Sequence, residues 1–192
     1  MLNNPLSQRK NEILQAAIEM IADEGYASLT MRALARACGI KLGTLQFHFR
    51  TSEDMLRALV DYIAKSYQRS FESLQGRDEP PDLREIVTFV LDDEAGDALC
   101  GDRLWPQLWA MQQVEPLVSD LVEDLYTYYV EILERALDRK GSDTPHAEAL
   151  ALISLLEGST IFMGKGRRWA ADAELVRTTV LKFVESRYGS KR

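Results

Sequence analysis

The chain has 192 residues, 46% of them apolar and 28% charged, the balance of an ordinary folded protein rather than a disordered, fibrous or membrane one. No stretch approaches the roughly 18 unbroken apolar residues that a membrane-spanning helix needs, and the first thirty residues hold no hydrophobic region ending in a cleavage signal, so a cytoplasmic location is expected. The net charge of −7 is unevenly placed, +2 over residues 1–50 and −9 over the rest; because fields are screened within about 10 Å at 0.1 M salt, a mildly basic head can still meet phosphates.

Strand signals are nearly absent and apolar residues recur at three- and four-residue spacing, so the chain reads as all-α. A first helix over 7–24 turns Ile13, Leu14, Ala17 and Ile21 to one side and stops at Gly25, free to take positive φ. Thr30 caps a short helix reaching Cys38, Gly39 turns the chain, and a second short helix covers 42–47. Thr51 with Asp54 begins a long helix to residue 75, its apolar line running through Leu56, Leu59, Ile63, Tyr67 and Phe71. Gly76, Pro80 and Pro81 break it, and Asp82 with Glu85 restarts a helix to residue 91. Further helices are expected over about 102–114, 116–139, 145–163 and 173–187, with Thr144-Pro145 and Asp172 as start signals for the last two.

Two cysteines, Cys38 and Cys100, make no disulfide framework, and two histidines, His48 and His146, stand alone, so no metal site is expected. Cys38, beside Leu34 and Ala35, reads as a small core residue. No nucleophile with a base, metal cluster or cofactor loop is recognisable, which argues against an enzyme and against a bound cofactor. The run from Gly164 to Trp169 lacks the spacing of either phosphate-binding glycine motif and reads as a basic loop.

Two short helices around Gly39 have the proportions of a helix-turn-helix, whose second helix enters the major groove of DNA. The run Gly25-Tyr26, Leu29-Thr30-Met31, Leu34-Ala35, Gly39-Ile40, Gly43-Thr44-Leu45, Phe47-His48-Phe49 and Glu53-Asp54-Met55-Leu56 closely resembles the DNA-binding head of the TetR family of transcriptional regulators, over about residues 7–67. The resemblance implies a three-helix head, a helical ligand-binding and dimerisation body over 68–192, a homodimer on double-stranded operator DNA, and repression relieved by a small-molecule effector. More loosely, the body resembles betaine-regulator-like members around Trp105 to Pro116, Gly158 and the final helix.

The residues themselves support a DNA-reading helix. Leu45 and Phe49, four apart, form its core side, which leaves Lys41, Leu42, Gly43, Thr44, Gln46, Phe47 and His48 as candidates for DNA contact. Gln46 can hydrogen-bond a base edge, adenine best, and Thr44 can reach a thymine methyl or a phosphate. Lys41 and His48, with Thr30, Arg32 and Arg36 on the preceding helix and its cap, suit the backbone. Three positions depart from the family pattern: Lys41 replaces a small hydroxyl residue, Gln46 a frequent tyrosine, and Ser52 a lysine. Gln46 and Ser52 motivate an alternative, a small-molecule binding module with weakened or lost DNA binding.

In the body, Trp105, Trp109, Tyr126, Tyr129, Glu157 and Phe162 are candidate ligand contacts, Glu157 because an unpaired carboxylate in an apolar helix is costly to bury. Ala151, Ser154 and Gly158 on one helix, and Val176, Val180 and Phe183 on the next, form small and apolar faces suited to a four-helix interface between two copies.

Overall fold

The computed structural model describes residues 5–76, 79–92, 99, 101–164 and 166–189, and Cys100 therefore lies outside the described residues. Among these residues every regular element is a helix: α1 Pro5–Glu24, α2 Met31–Ala37, α3 Leu42–His48, α4 Ser52–Gln75, α5 Leu83–Asp92, α6 Gly101–Met111, α7 Pro116–Arg139, α8 Pro145–Met163 and α9 Ala173–Tyr188. Single 3₁₀ turns at Tyr26–Ser28 and Ala170–Asp172, absent from the sequence reading, precede α2 and α9.

Two compact units are built from these helices, the described residues of Met1–Gln68 with Ala95–Val122, and those of Arg69–Glu94 with Glu123–Arg192. In the first, Ile13, Ala17, Ile18 and Ile21 of α1, Leu34 of α2, Leu45 of α3 and Leu59 and Ile63 of α4 are almost wholly buried. In the second, Ile86, Val87, Leu133, Leu137, Ala149 and Leu152 form the equivalent centre.

Local chemistry explains most helix ends. Thr51 and Asp54 bond reciprocally, each backbone N–H donating to the other's side-chain oxygen at 3.1 and 3.0 Å, and Asp82 and Glu85 repeat the pattern at 2.9 and 2.8 Å, two complete capping boxes. Thr30 Oγ1 accepts from the Ala33 N–H at 3.1 Å. Gly25 closes α1 with φ 84° and Gly39 turns between α2 and α3 with φ 64°, a region that costs a residue with a Cβ strain.

Two expectations, on the end of α6 and on Cys38, are corrected. Helix α6 ends at Met111 rather than Val114; successive turns lead out of it to Glu115, which precedes Pro116 and so disfavours continuing the helix. Thr144 and Asp172 mark the starts of α8 and α9, but neither side chain caps its helix. Pro145 supplies the helical φ of the first, while Asp172 is the αR end of the 3₁₀ turn, outside the extended geometry that capping requires. Cys38 is half-buried at the C-cap of α2 rather than in the core, with burial pushing its thiol pKa up against the opposing charge of Arg9.

Candidate nucleic-acid interface

Helix α3 has only seven residues, so its two faces sort cleanly. Leu45 is fully buried and Phe49, just past its end, is 2% exposed. Lys41, Gly43, Thr44, Gln46 and Phe47 lie in solvent, with Leu42 and His48 half-buried at the margins. Thr30, Arg32 and Arg36 are exposed on and before α2. All ten sequence candidates thus belong to this two-helix element, and none is consumed by its core.

What holds the element to α1 was not read from the sequence. Arg9 donates to the Cys38 carbonyl oxygen at 3.3 Å and to Glu12 at 2.7 Å. The Lys10 ammonium sits 5.0 Å from the centre of the Phe49 ring, a cation–π contact that places both basic residues of α1 against the head.

The same unit contains a second set of polar links. Tyr26 Oη donates to Glu115 Oε1 at 2.6 Å; burial first, then this hydrogen bond and the nearby charge, push the phenol up from 10.0 to about 12. Arg103 pairs with Asp23. These contacts join the end of α1 to α6 and the start of α7 across 80 to 89 residues of sequence, a separation over which periodicity carries no signal.

The six candidate ligand residues divide between the units. Trp105 and Trp109 of α6 belong to the first, their ring centres 6.3 Å apart, and Trp105 meets Tyr67 edge-on at 5.6 Å. Tyr126, Tyr129, Glu157 and Phe162 belong to the second, where Tyr129 is buried against Phe71 and Glu157 is half-buried. Phe162 is 54% exposed and stands edge-on to Trp169 at 6.0 Å. Among the candidate interface residues, Ala151, Ser154 and Phe183 are exposed, Gly158 and Val176 half-buried, and Val180 buried within its own chain. Leu175 and Thr179, both exposed and not singled out from the sequence, lie on α9 beside them.

Residues 13–59 match the family described as bacterial regulatory proteins, tetR family. The chain's head is a TetR-family domain. The chain is 35% identical over 71 residues to the HTH-type transcriptional repressor KstR2 of Mycolicibacterium smegmatis, an alignment spanning 35% of each chain. Solved structures of regulators match over nearly the whole length. A transcriptional regulator from Saccharomonospora viridis, in complex with choline, has a TM-score of 0.71 at 22% identity, covering 93% of this chain and 96% of its own. AibR, in complex with isovaleryl coenzyme A and operator DNA, has a TM-score of 0.67 at 17% identity, covering 95% and 100%.

The chain thus carries a TetR-family helix-turn-helix at α2–α3, within the matched residues 13–59, and a helical body after it. Curated relatives include a transcriptional repressor and nucleoid occlusion factors of Vibrio species. Among the described residues, no helix is long and apolar enough to cross a membrane, and no group of three or more His, Cys, Asp or Glu side chains is arranged to hold a metal ion.

Proposed function

We propose that this regulator is a repressor that binds a pseudo-palindromic operator as a homodimer, in the cytoplasm, and leaves it when a small molecule binds the body. The observation that carries the reading is the outward face of α3 and α2, which offers Thr30, Arg32, Arg36, Lys41, Leu42, Gly43, Thr44, Gln46, Phe47 and His48 with no core role for most of them. DNA binding is assigned to residues 7–67, and ligand binding with dimerisation to 68–192. A relative named as a repressor, a neighbour with choline, and another with both an acyl-coenzyme A and operator DNA support the operator and effector parts.

Dimerisation rests on α8 and α9. Leu150, Leu155, Ile161, Phe162, Leu175 and Phe183 are between 45 and 69% exposed, an apolar concentration that marks an interaction face, and two-fold pairing of such a face is the commonest closed solution. Two recognition helices then have to sit about 34–36 Å apart, or a multiple of it, to enter successive major grooves. An effector that nearly empties the operator must discriminate between the two conformations by about 5.5 kcal/mol. Trp105 and Trp109 are the ligand candidates with a direct route to the head, since α6 is tied to α1 through Arg103 and Asp23.

Selection of genomic fragments with the purified protein, followed by footprinting at two salt concentrations, tests the reading. The expected result is a protected two-fold site whose affinity falls with salt by a log–log slope of about 0.9 per phosphate contact. A folded protein that enriches no site overturns it in favour of a small-molecule binding module with weakened or lost DNA binding, the reading that Gln46 and Ser52 favour.

A further inference from the structure

Phe47 is 74% exposed, the most exposed large apolar side chain among the described residues. Arg32, Arg36, Lys41, Thr44 and Gln46, exposed on α2, on α3 and at its N-cap, are polar, and Ala37 adds only a methyl group. A lone exposed ring needs no explanation by itself, but Gly43, one turn earlier, supplies a second observation. Gly43 and Phe47, four apart, share one face of α3. Glycine within a helix is destabilising relative to alanine, and neither backbone nor packing asks for it here: Gly43 is not among the positive-φ glycines, and a Cβ built on it would meet nothing within 4 Å. Both residues fall opposite Leu45 and Phe49, at 100° per residue, on the side of α3 farthest from the core. The His48 ring stands edge-on to Phe47 at 5.5 Å and 82°, which restricts the aromatic side chain without covering it.

The face is therefore flat at Gly43, apolar at Phe47 and polar around both. Among the groups that the major groove presents, the apolar one is the C5-methyl of thymine. We infer that Phe47 is a specificity-determining residue that packs on a thymine methyl, with the missing side chain of Gly43 letting α3 approach closely enough for the contact. Gln46, adjacent in sequence and suited to the N6 and N7 atoms of adenine, reads the same class of base pair, so the operator half-site holds A·T pairs under this part of α3. The inference rests on the DNA-binding reading above.

The test uses the selected operator, with each thymine of one half-site replaced in turn by deoxyuridine, which removes the methyl group and nothing else. Affinities are measured for the full-length wild type, Phe47→Ala, Thr44→Ser and Gly43→Ala, each checked for helix content. At one position, deoxyuridine is expected to weaken the wild type about fourfold, the value of one buried methyl group. That penalty vanishes in Phe47→Ala and persists in Thr44→Ser. Gly43→Ala binds more than tenfold more weakly although its thermal stability is equal or higher. Tolerance of deoxyuridine at every position, a penalty that survives in Phe47→Ala, or one lost only in Thr44→Ser overturns the assignment while leaving DNA binding intact. If the wild type selects no operator at all, the DNA-binding reading fails, and this one with it.

Discussion

Helix α3 and helices α8–α9 both send apolar side chains into solvent, but in different company. On α3 a single ring, Phe47, stands among arginine, lysine, threonine and glutamine. On α8 and α9 the exposed apolar residues follow one another, Leu150, Leu155, Ile161 and Phe162, then Leu175 and Phe183. A polar target such as a DNA groove is met by a polar face in which one apolar group discriminates. A second protein surface is met by continuous apolar area, whose burial is favourable in proportion to its size. Exposure alone is therefore not informative; the neighbours of the exposed residue are.

The largest effect follows from breaking the apolar face. Ile161→Glu combined with Phe183→Glu leaves each chain folded, because both side chains already lie in solvent, yet raises the dimer dissociation constant at least 100-fold, as for two interface positions of about 2 kcal/mol or more each. Sedimentation at micromolar protein checks this, and an unchanged dimer refutes the assignment of the face. Val180→Glu sharpens the contrast. That side chain is 6% exposed within its own chain, so the charge unfolds the second unit instead of merely separating two copies.

Next comes the inner side of the recognition helix. Leu45→Ala removes a fully buried side chain from a helix with few other anchors and is expected to cost about 2–5 kcal/mol in urea unfolding, with operator binding lost alongside. Gln46→Ala acts on the outer side and leaves stability within about 0.5 kcal/mol. It reduces discrimination at one A·T pair by about 1–3 kcal/mol, measured by competition with base-substituted half-sites. The pair of variants separates what builds the helix from what the helix reads.

Much of this was legible in the sequence, for a physical reason that also sets the limit. Caps and periodicity are local, so the bounds of α7 and α8, the two capping boxes and the inward turn of Leu45 and Phe49 all follow from residues within one or two helical turns. Which distant element covers a face is not local. Periodicity placed Val180 on a continuous apolar stripe with Phe183, but the chain's own core takes the first and leaves the second outside. The exposed aromatic pair Phe162–Trp169 and the polar links of α1 to α6 and α7 were invisible for the same reason. The exposure of the head's candidate residues was readable because the helix-turn-helix is itself short and local.

The smallest effect tests one of those invisible links. Tyr26, half-buried, donates to Glu115 and holds its proton to about pH 12, two units beyond the ordinary phenol. An unfolded chain ionises this phenol near pH 10.0 while the folded chain does not, so the stability the link contributes is complete below pH 10 and is lost as pH rises through about 12. Tyr26→Phe is expected to cost about 0.5–1.5 kcal/mol at pH 7, since the half-buried carboxylate of Glu115 loses a donor. The wild type then falls more steeply than the variant between pH 10 and 12 in parallel thermal melts, and the two curves converge. Neither base preference nor dimerisation changes, because Tyr26 belongs to neither exposed face. If the curves stay parallel across that range, the folded chain does not hold the phenol protonated, and the polar tie from α1 to α6 and α7 has to rest on the Arg103–Asp23 pair alone.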